Sequence, residues 1–354
     1  MIVGDMGGRL DQDTAALRLR LATLSRQLAT GQRAEAPGDI APELPRAIAL
    51  RTELARRETY GASIGDAQQR AAATQTVLSR LTRIGREFAE EVALKLDPDA
   101  PEQLPVVAER ARQALVEVGQ LLNTRHAGEY LFGGSDFANP PVPDPDALPT
   151  SGWATAIAAA VGTLGGGNAA TVATATRNAV QDDAAGATPY SAFVSDPARG
   201  LAEPRRSVPS EDGVLVPVGL FANRNAGAAS SGETAGGWAR DLMRGLMTLS
   251  ALTPAQTADR ADFQALGVTV REGLRSATRA LGAEAGALGQ VEARLTETRK
   301  RHEEIGIALD SQRTAIEEVD LAETLSRLRQ TETQLQASYG AIARLGNLSL
   351  AQFL

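Results

Sequence analysis

The chain has 354 residues, no cysteine, 43% hydrophobic content with only 4% aromatic, and a formal net charge of −7. Disulfides and thiolate metal sites are excluded, and the acidic balance argues against nucleic acid, which needs basic residues to displace phosphate counterions. The length suits two or three domains, with thin, alanine-rich helical cores rather than bulky aromatic ones.

In chain order, Arg9 to Thr30 reads as a first helix closed by Gly31. Leu10, Thr14, Leu17, Leu21, Leu24 and Leu28 are spaced four and three apart in alternation, a heptad row. Gln32 to Pro45 holds three prolines and a glycine and is expected to be extended and irregular. A second helix runs from Ala47 to about Leu96, with Ile48, Leu50, Leu54, Ile64, Val77, Leu78, Leu81, Ile84, Phe88 and Val92 inward, stopped by Pro98 and Pro101. A third runs from Pro105 to Thr124 with Val107, Ala111, Leu115, Val118 and Leu122 on one face, and Tyr130–Phe132 before Gly133–Gly134 reads as a short strand and turn.

Composition shifts at Pro140, and 141–235 is rich in Gly, Ala, Pro and Thr. It reads as an inserted domain of mixed or mostly β structure, with a strand at Val214–Val216 that Pro217 demotes to an edge or bulge. Helical spacing returns at Trp238 with Leu242, Leu246 and Leu249. It continues from about Asp259 to the C-terminus, with kinks expected at Gly282–Gly286–Gly289 and near Gly306. There Leu321, Leu325, Leu328, Leu335, Tyr339 and Ile342 form a second heptad row, interrupted by Glu332. Two such rows at opposite ends predict that the termini pair. Leu345, Leu348, Leu350, Phe353 and Leu354 lie off the second row, so a two-helix hairpin would leave them to be covered by other subunits.

Motifs with chemical content are few. Gly61-Ala62-Ser63-Ile64-Gly65 has the spacing of a nucleophile elbow, but its flanks are polar and helical where a buried strand is required. Gly165, Gly167 and Ala170 fit a dinucleotide loop only loosely, with no βαβ unit around them. Glu303–Glu304 and Glu317–Glu318 read as solvated helix faces, and His126 and His302 as solvated helix-surface histidines without companion ligands. No catalytic, cofactor or metal residue is assigned, and no enzyme is expected. Met1–Leu10 lacks the basic and apolar regions of a signal peptide. The longest apolar run, Trp153 to Leu164, is too short to span a membrane.

Leu24–Arg33 (LSRQLATGQR), Gly128–Asp136 (GEYLFGGSD) and Val319–Leu354 resemble bacterial flagellins and their hook-associated relatives, over roughly the first 140 and last 115 residues. The resemblance implies a mainly α fold: an elongated helical bundle and coiled coil made from both termini. It implies a terminal domain of 1–40 with 303–354, a bundle of 41–140 with 236–302, and the insert 141–235 between them. Within the family, GEYLFGGSDFANPPV and the proline-containing loop of Ala36 to Leu54 are most like the hook–filament junction members. The first helix also lacks the asparagines of filament flagellins. A divergent flagellin, the filament subunit, is the alternative.

The resemblance further implies an extracellular flagellar protein exported by a type III route without a cleaved signal. Its partners would be its own copies in a ring, another hook-associated protein, flagellin, and an export chaperone on the C-terminal helix, with neither nucleic acid nor membrane. The assembly interface would be Leu10, Leu17, Leu21, Leu24, Leu28, Leu321, Leu325, Leu328, Leu335, Tyr339, Ile342, Leu345, Leu348, Leu350, Phe353 and Leu354. The family's immune-receptor segment would fall near Leu81 to Val92, where Gly85 interrupts the pattern, so that recognition is not expected.

Overall fold

The computed structural model describes residues 2–34 and 36–351, the side chains of 2–10, 37, 93–94 and 345–351 excepted. Helix α1 (Ile2–Thr30) stops where the sequence predicts. Gly31 turns to φ +69° and its N–H donates to Gln27 O at 2.8 Å, a left-handed cap that suits glycine. The proline-rich stretch contains one turn of 3-10 helix, Pro37–Ile40, and then α2 (Leu44–Lys95) begins. Of the positions expected to face inward on α2, Leu54 is half-buried and Ile48 is exposed; the others are buried. Helix α3 (Leu104–Leu122) buries Val107, Ala111, Leu115, Val118 and Leu122 as its 3.6-residue period requires.

After α3, β1 (Arg125–His126) and β2 (Glu129–Tyr130) pair antiparallel around Ala127 and Gly128. Both of these turn residues have positive φ, matching the twist of a two-residue hairpin. The predicted strand therefore lies slightly earlier than expected. Leu131 and Phe132 leave the ribbon and are buried, with the Phe132 ring edge-on to Trp238 at 6.2 Å.

The insert contains α4 (Gly152–Gly162), α5 (Ala169–Gln181), the short α6 (Ala192–Ser195) and an antiparallel ribbon of β3 (Ser207–Glu211) and β4 (Val214–Pro217). It is thus the mixed form of the expectation rather than the mostly β one. The register shift lies at Pro209–Glu211 on β3, and Pro217 closes β4. Helix α7 (Trp238–Ser250) follows, then α8 (Arg260–Glu317) and α9 (Leu321–Ala351). At the glycines expected to kink, α8 keeps its helical hydrogen bonding through Gly282, Gly286, Gly289 and Gly306, and the break in helix falls at 318–320. An isolated glycine weakens a helix by only about 1 kcal/mol, which tertiary packing readily offsets.

Contacts divide the chain into two units, Met1–Thr59 with Lys300–Leu354, and Tyr60–Arg299. The second holds the larger core, in which Leu78, Leu81, Leu115, Leu246, Leu274 and Leu281 pack with Trp153, Ile157 and Val172 of the insert. Helix α7 lies at its centre and packs against α3, α4 and α5, buried from Trp238 through Leu249.

Candidate assembly site

In the terminal unit, α1 and α9 run antiparallel. Gln32 bridges to Glu318, the Arg33 N–H donates to Glu317 O at 2.8 Å, and Val319 N–H donates to Gly31 O at 3.0 Å. Further along, Arg18 Nε donates to Tyr339 Oη at 2.7 Å. On α1 the packed row is the predicted one: Thr14 and Leu24 are buried and Leu17, Leu21 and Leu28 are half-buried. Side chains of Leu10, Leu345, Leu348 and Leu350, and residues Phe353 and Leu354 entirely, lie outside the described residues.

On α9 the packed row differs from the predicted one. It consists of Thr324, Leu328, Thr331, Leu335, Ser338 and Ile342, an unbroken four–three alternation, with Leu325 half-buried beside it. Leu321 is 53% and Tyr339 41% exposed, so both sit off the row. The large apolar residues alone misplace it because three of its members are small hydroxyl residues. Thr331 donates to Arg327 O at 2.8 Å and Ser338 to Gln334 O at 2.9 Å, which satisfies their polar atoms within the helix and leaves the methyl and methylene groups to pack. Glu332 is exposed and interrupts nothing.

Below the α1–α9 pair, the two linkers meet the start of α2 and the end of α8. Ile40, Ala47, Leu50 and Ile316 form a small apolar cluster. Glu317 is buried beside it and accepts from Arg51 Nε at 2.7 Å and Arg313 Nη1 at 3.1 Å. The bond from Arg51 holds its carboxyl below the usual range, against the opposing effect of burial. Asp320 begins α9 by accepting the N–H groups of Ala322 and Glu323 at 2.9 and 3.0 Å. A cavity of about 170 Å³ opens here, lined by Ala34, Ala36, Ile40, Leu44, Ala47 and Ile48 together with the polar Gln32, Arg51 and Glu317.

The chemical motifs resolve into structure. Ser63 lies within α2, with no strand before it. The glycine loop at 165–167 offers its N–H groups to the chain's own acids. Gly166 donates to Asp259 at 2.9 Å, and Gly167 and Asn168 to Asp262 at 2.7 and 3.0 Å. No main-chain donor of these three remains to cradle a phosphate. Glu303 and Glu304 are exposed, whereas Glu317 is buried as described. His302 is also buried rather than solvated, with Nδ1 3.1 Å from Arg57 Nη1, and His126 lies half-buried in β1. Among the described residues, no group of three His, Cys, Asp or Glu side chains is placed to hold a metal ion. No helix among the described residues is long and apolar enough to cross a membrane.

Residues 272–354 match the family model of the bacterial flagellin C-terminal helical region. The matched segment takes in the later part of α8 and all of α9, the helix that pairs with α1. It supports a relation to the bacterial flagellin superfamily. No curated protein matches the chain.

Proposed function

We propose that this chain is a structural subunit of the bacterial flagellum that assembles as a ring at the hook–filament junction, as hook-associated protein 3 does. Its carrying observation is the pairing of α1 with α9, the helix of the flagellin-like C-terminal match, which leaves Leu321 exposed outside its own packed row. Apolar groups left in water at a helix pair's surface favour burial against further copies, at about 25 cal/mol per Å² removed from water. The junction position draws on Ala36–Leu54 and Gly128–Val142, segments that resemble those of junction members more than those of filament flagellins.

In this reading 1–40 with 303–354 supplies the coiled-coil layer of the assembly, 41–140 with 236–302 the bundle layer, and 141–235 the inserted domain. The neighbours are another hook-associated protein and flagellin, and a chaperone covers the C-terminal helix before type III export.

The test is loss of this chain alone. Flagellin secreted into the medium while hooks stay bare supports the junction role. Hooks that still carry filaments overturn it. The C-terminal match suits a filament flagellin equally, and that reading predicts instead that the bulk filament polymer itself disappears. Deleting Leu345 to Leu354 is expected to leave the unit at 60–299 folded by circular dichroism while abolishing attachment.

A further inference from the structure

Asp212–Gly213 is the one place in the chain where an aspartate or asparagine precedes a glycine. The pair forms the two-residue loop of the β3–β4 ribbon, between the register partners Glu211 and Val214. Both loop residues are exposed, and Gly213 turns to φ +72°, a conformation that suits glycine. A Cβ added to Gly213 would meet nothing within 4 Å, so the loop is open there and no side chain crowds the residue after Asp212.

The aspartate carboxyl is nevertheless held. Tyr60 on α2 donates its hydroxyl to Asp212 Oδ1 at 2.6 Å. Along the same ribbon Val208 pairs with Val216, and Val216 is buried with Ile64 and Ala67 of α2 and Leu295 of α8. Loop length and turn type fix the register of a hairpin, so the two-residue loop determines that Val216 meets this cluster.

We propose that Asp212 is a site of spontaneous isomerisation to isoaspartate, restrained in the folded chain by the Tyr60 hydroxyl. The Gly213 nitrogen attacks Cγ of the protonated Asp212 carboxyl. The N–Cγ bond forms, and the amide proton leaves with the carboxyl hydroxyl as water. Water then adds to the five-membered imide. Breaking the bond from this nitrogen to the Asp212 main-chain carbonyl carbon leaves the chain routed through Cγ, whereas breaking the N–Cγ bond restores aspartate. Water is lost once and regained once, so the mass is unchanged and no oxidant or cofactor takes part. The attack requires Cγ to close on the Gly213 nitrogen, and a carboxyl bonded to Tyr60 is held against that movement. Isoaspartate adds a carbon to the main chain of the loop, which then no longer matches the register that packs Val216.

The full chain and its Tyr60→Phe and Asp212→Glu variants are aged in neutral buffer. Isoaspartate is labelled with an isoaspartyl methyltransferase and located in peptide digests. It is expected to accumulate slowly at position 212 of the unmodified chain and several-fold faster in Tyr60→Phe. Asp212→Glu should carry no label there, since its longer side chain does not close the five-membered imide. In concentrated urea, where the Tyr60 contact is gone, the unmodified chain and Tyr60→Phe should isomerise at the same rate. The Asp97–Pro98 peptide gives the background, because proline has no N–H to lose. If neither Tyr60→Phe in buffer nor the unmodified chain in urea exceeds that background at 212, the site is overturned. Equal rates in buffer for the unmodified chain and Tyr60→Phe, or an acceleration by Tyr60→Phe that persists in urea, overturn the restraint.

Discussion

Single carboxylates hold several of this chain's irregular segments in place. Glu284 is buried on α8, and its Oε1 accepts the N–H groups of Ala226, Gly227 and Ala228 at 2.7, 3.0 and 3.0 Å. Glu284→Ala removes a buried charged acceptor from three part-buried donors at once. A loss of about 3 kcal/mol is expected from urea unfolding, since hydrogen bonds to ionised groups are the strong ones. Glu317 has a similar role between the linkers. Its carboxyl is held low by Arg51, so its contribution is present above the unfolded value of about 4.3 and is lost as pH falls through the lowered folded value. Between about pH 6 and about pH 3, Glu317→Gln should therefore show a smaller fall in protection of the Arg33 and Val319 amides than the unmodified chain. An equal fall in both proteins would remove Glu317 from that acid response.

At the scale of elements, helices that look similar in sequence differ in what surrounds them. Helix α7 reads as amphipathic, with Leu242, Leu246 and Leu249 inward, yet its polar face is buried too, because the insert supplies partners for it. Arg240 bonds both oxygens of Asp183 at 2.9 Å, and Arg244 bonds Glu233 at 2.6 Å and Ala173 O at 2.7 Å. Gly245 on the same helix has no room for a side chain, since an added Cβ would lie 2.6 Å from Leu274 Cδ2, in a fully buried leucine. Gly282 on α8 faces open space. Gly245→Ala should destabilise by about 1–3 kcal/mol through overpacking. Gly282→Ala should stabilise by up to about 1 kcal/mol by helix propensity. Thermal unfolding separates the two signs, and a destabilising Gly282→Ala would mean that its face is covered.

For the whole molecule, the two units differ in how much each buries. The unit at 60–299 holds the large contiguous core, whereas the terminal unit relies on one helix-pair row and a four-residue cluster. Local stability follows buried contact, so amides of α1 and α9 are expected to exchange faster than those around Leu78 and Leu115. Leu24→Ala, which empties the buried centre of the α1 row, should cost about 2 kcal/mol and speed exchange in α1 and α9 only. Leu19→Ala, at a position 72% exposed, should change neither in the free chain. If Leu24→Ala speeds exchange throughout 60–299 as well, the two units do not unfold separately.

The helical character of both ends, the cap at Gly31, the inward face of α3 and the α1 row were all legible in the sequence, because each depends on spacing and capping within one segment. The insert's helices were not, since its Ala-, Gly- and Thr-rich composition carries little periodicity and its turns are held by distant acids such as Glu284 and Asp262. The opening feature of the site, two heptad rows at opposite ends of the chain, was correct in kind, but the α9 row lies on Thr324, Thr331 and Ser338 as much as on leucine. Those residues become core only when a facing helix excludes water from them, a condition no local pattern encodes. The same reason explains the buried Glu317 and His302, which look like solvated helix residues until the other end of the chain is folded against them. Sequence by itself determined which segments are helical and that the ends pair; tertiary packing decided which faces meet and which charges are buried.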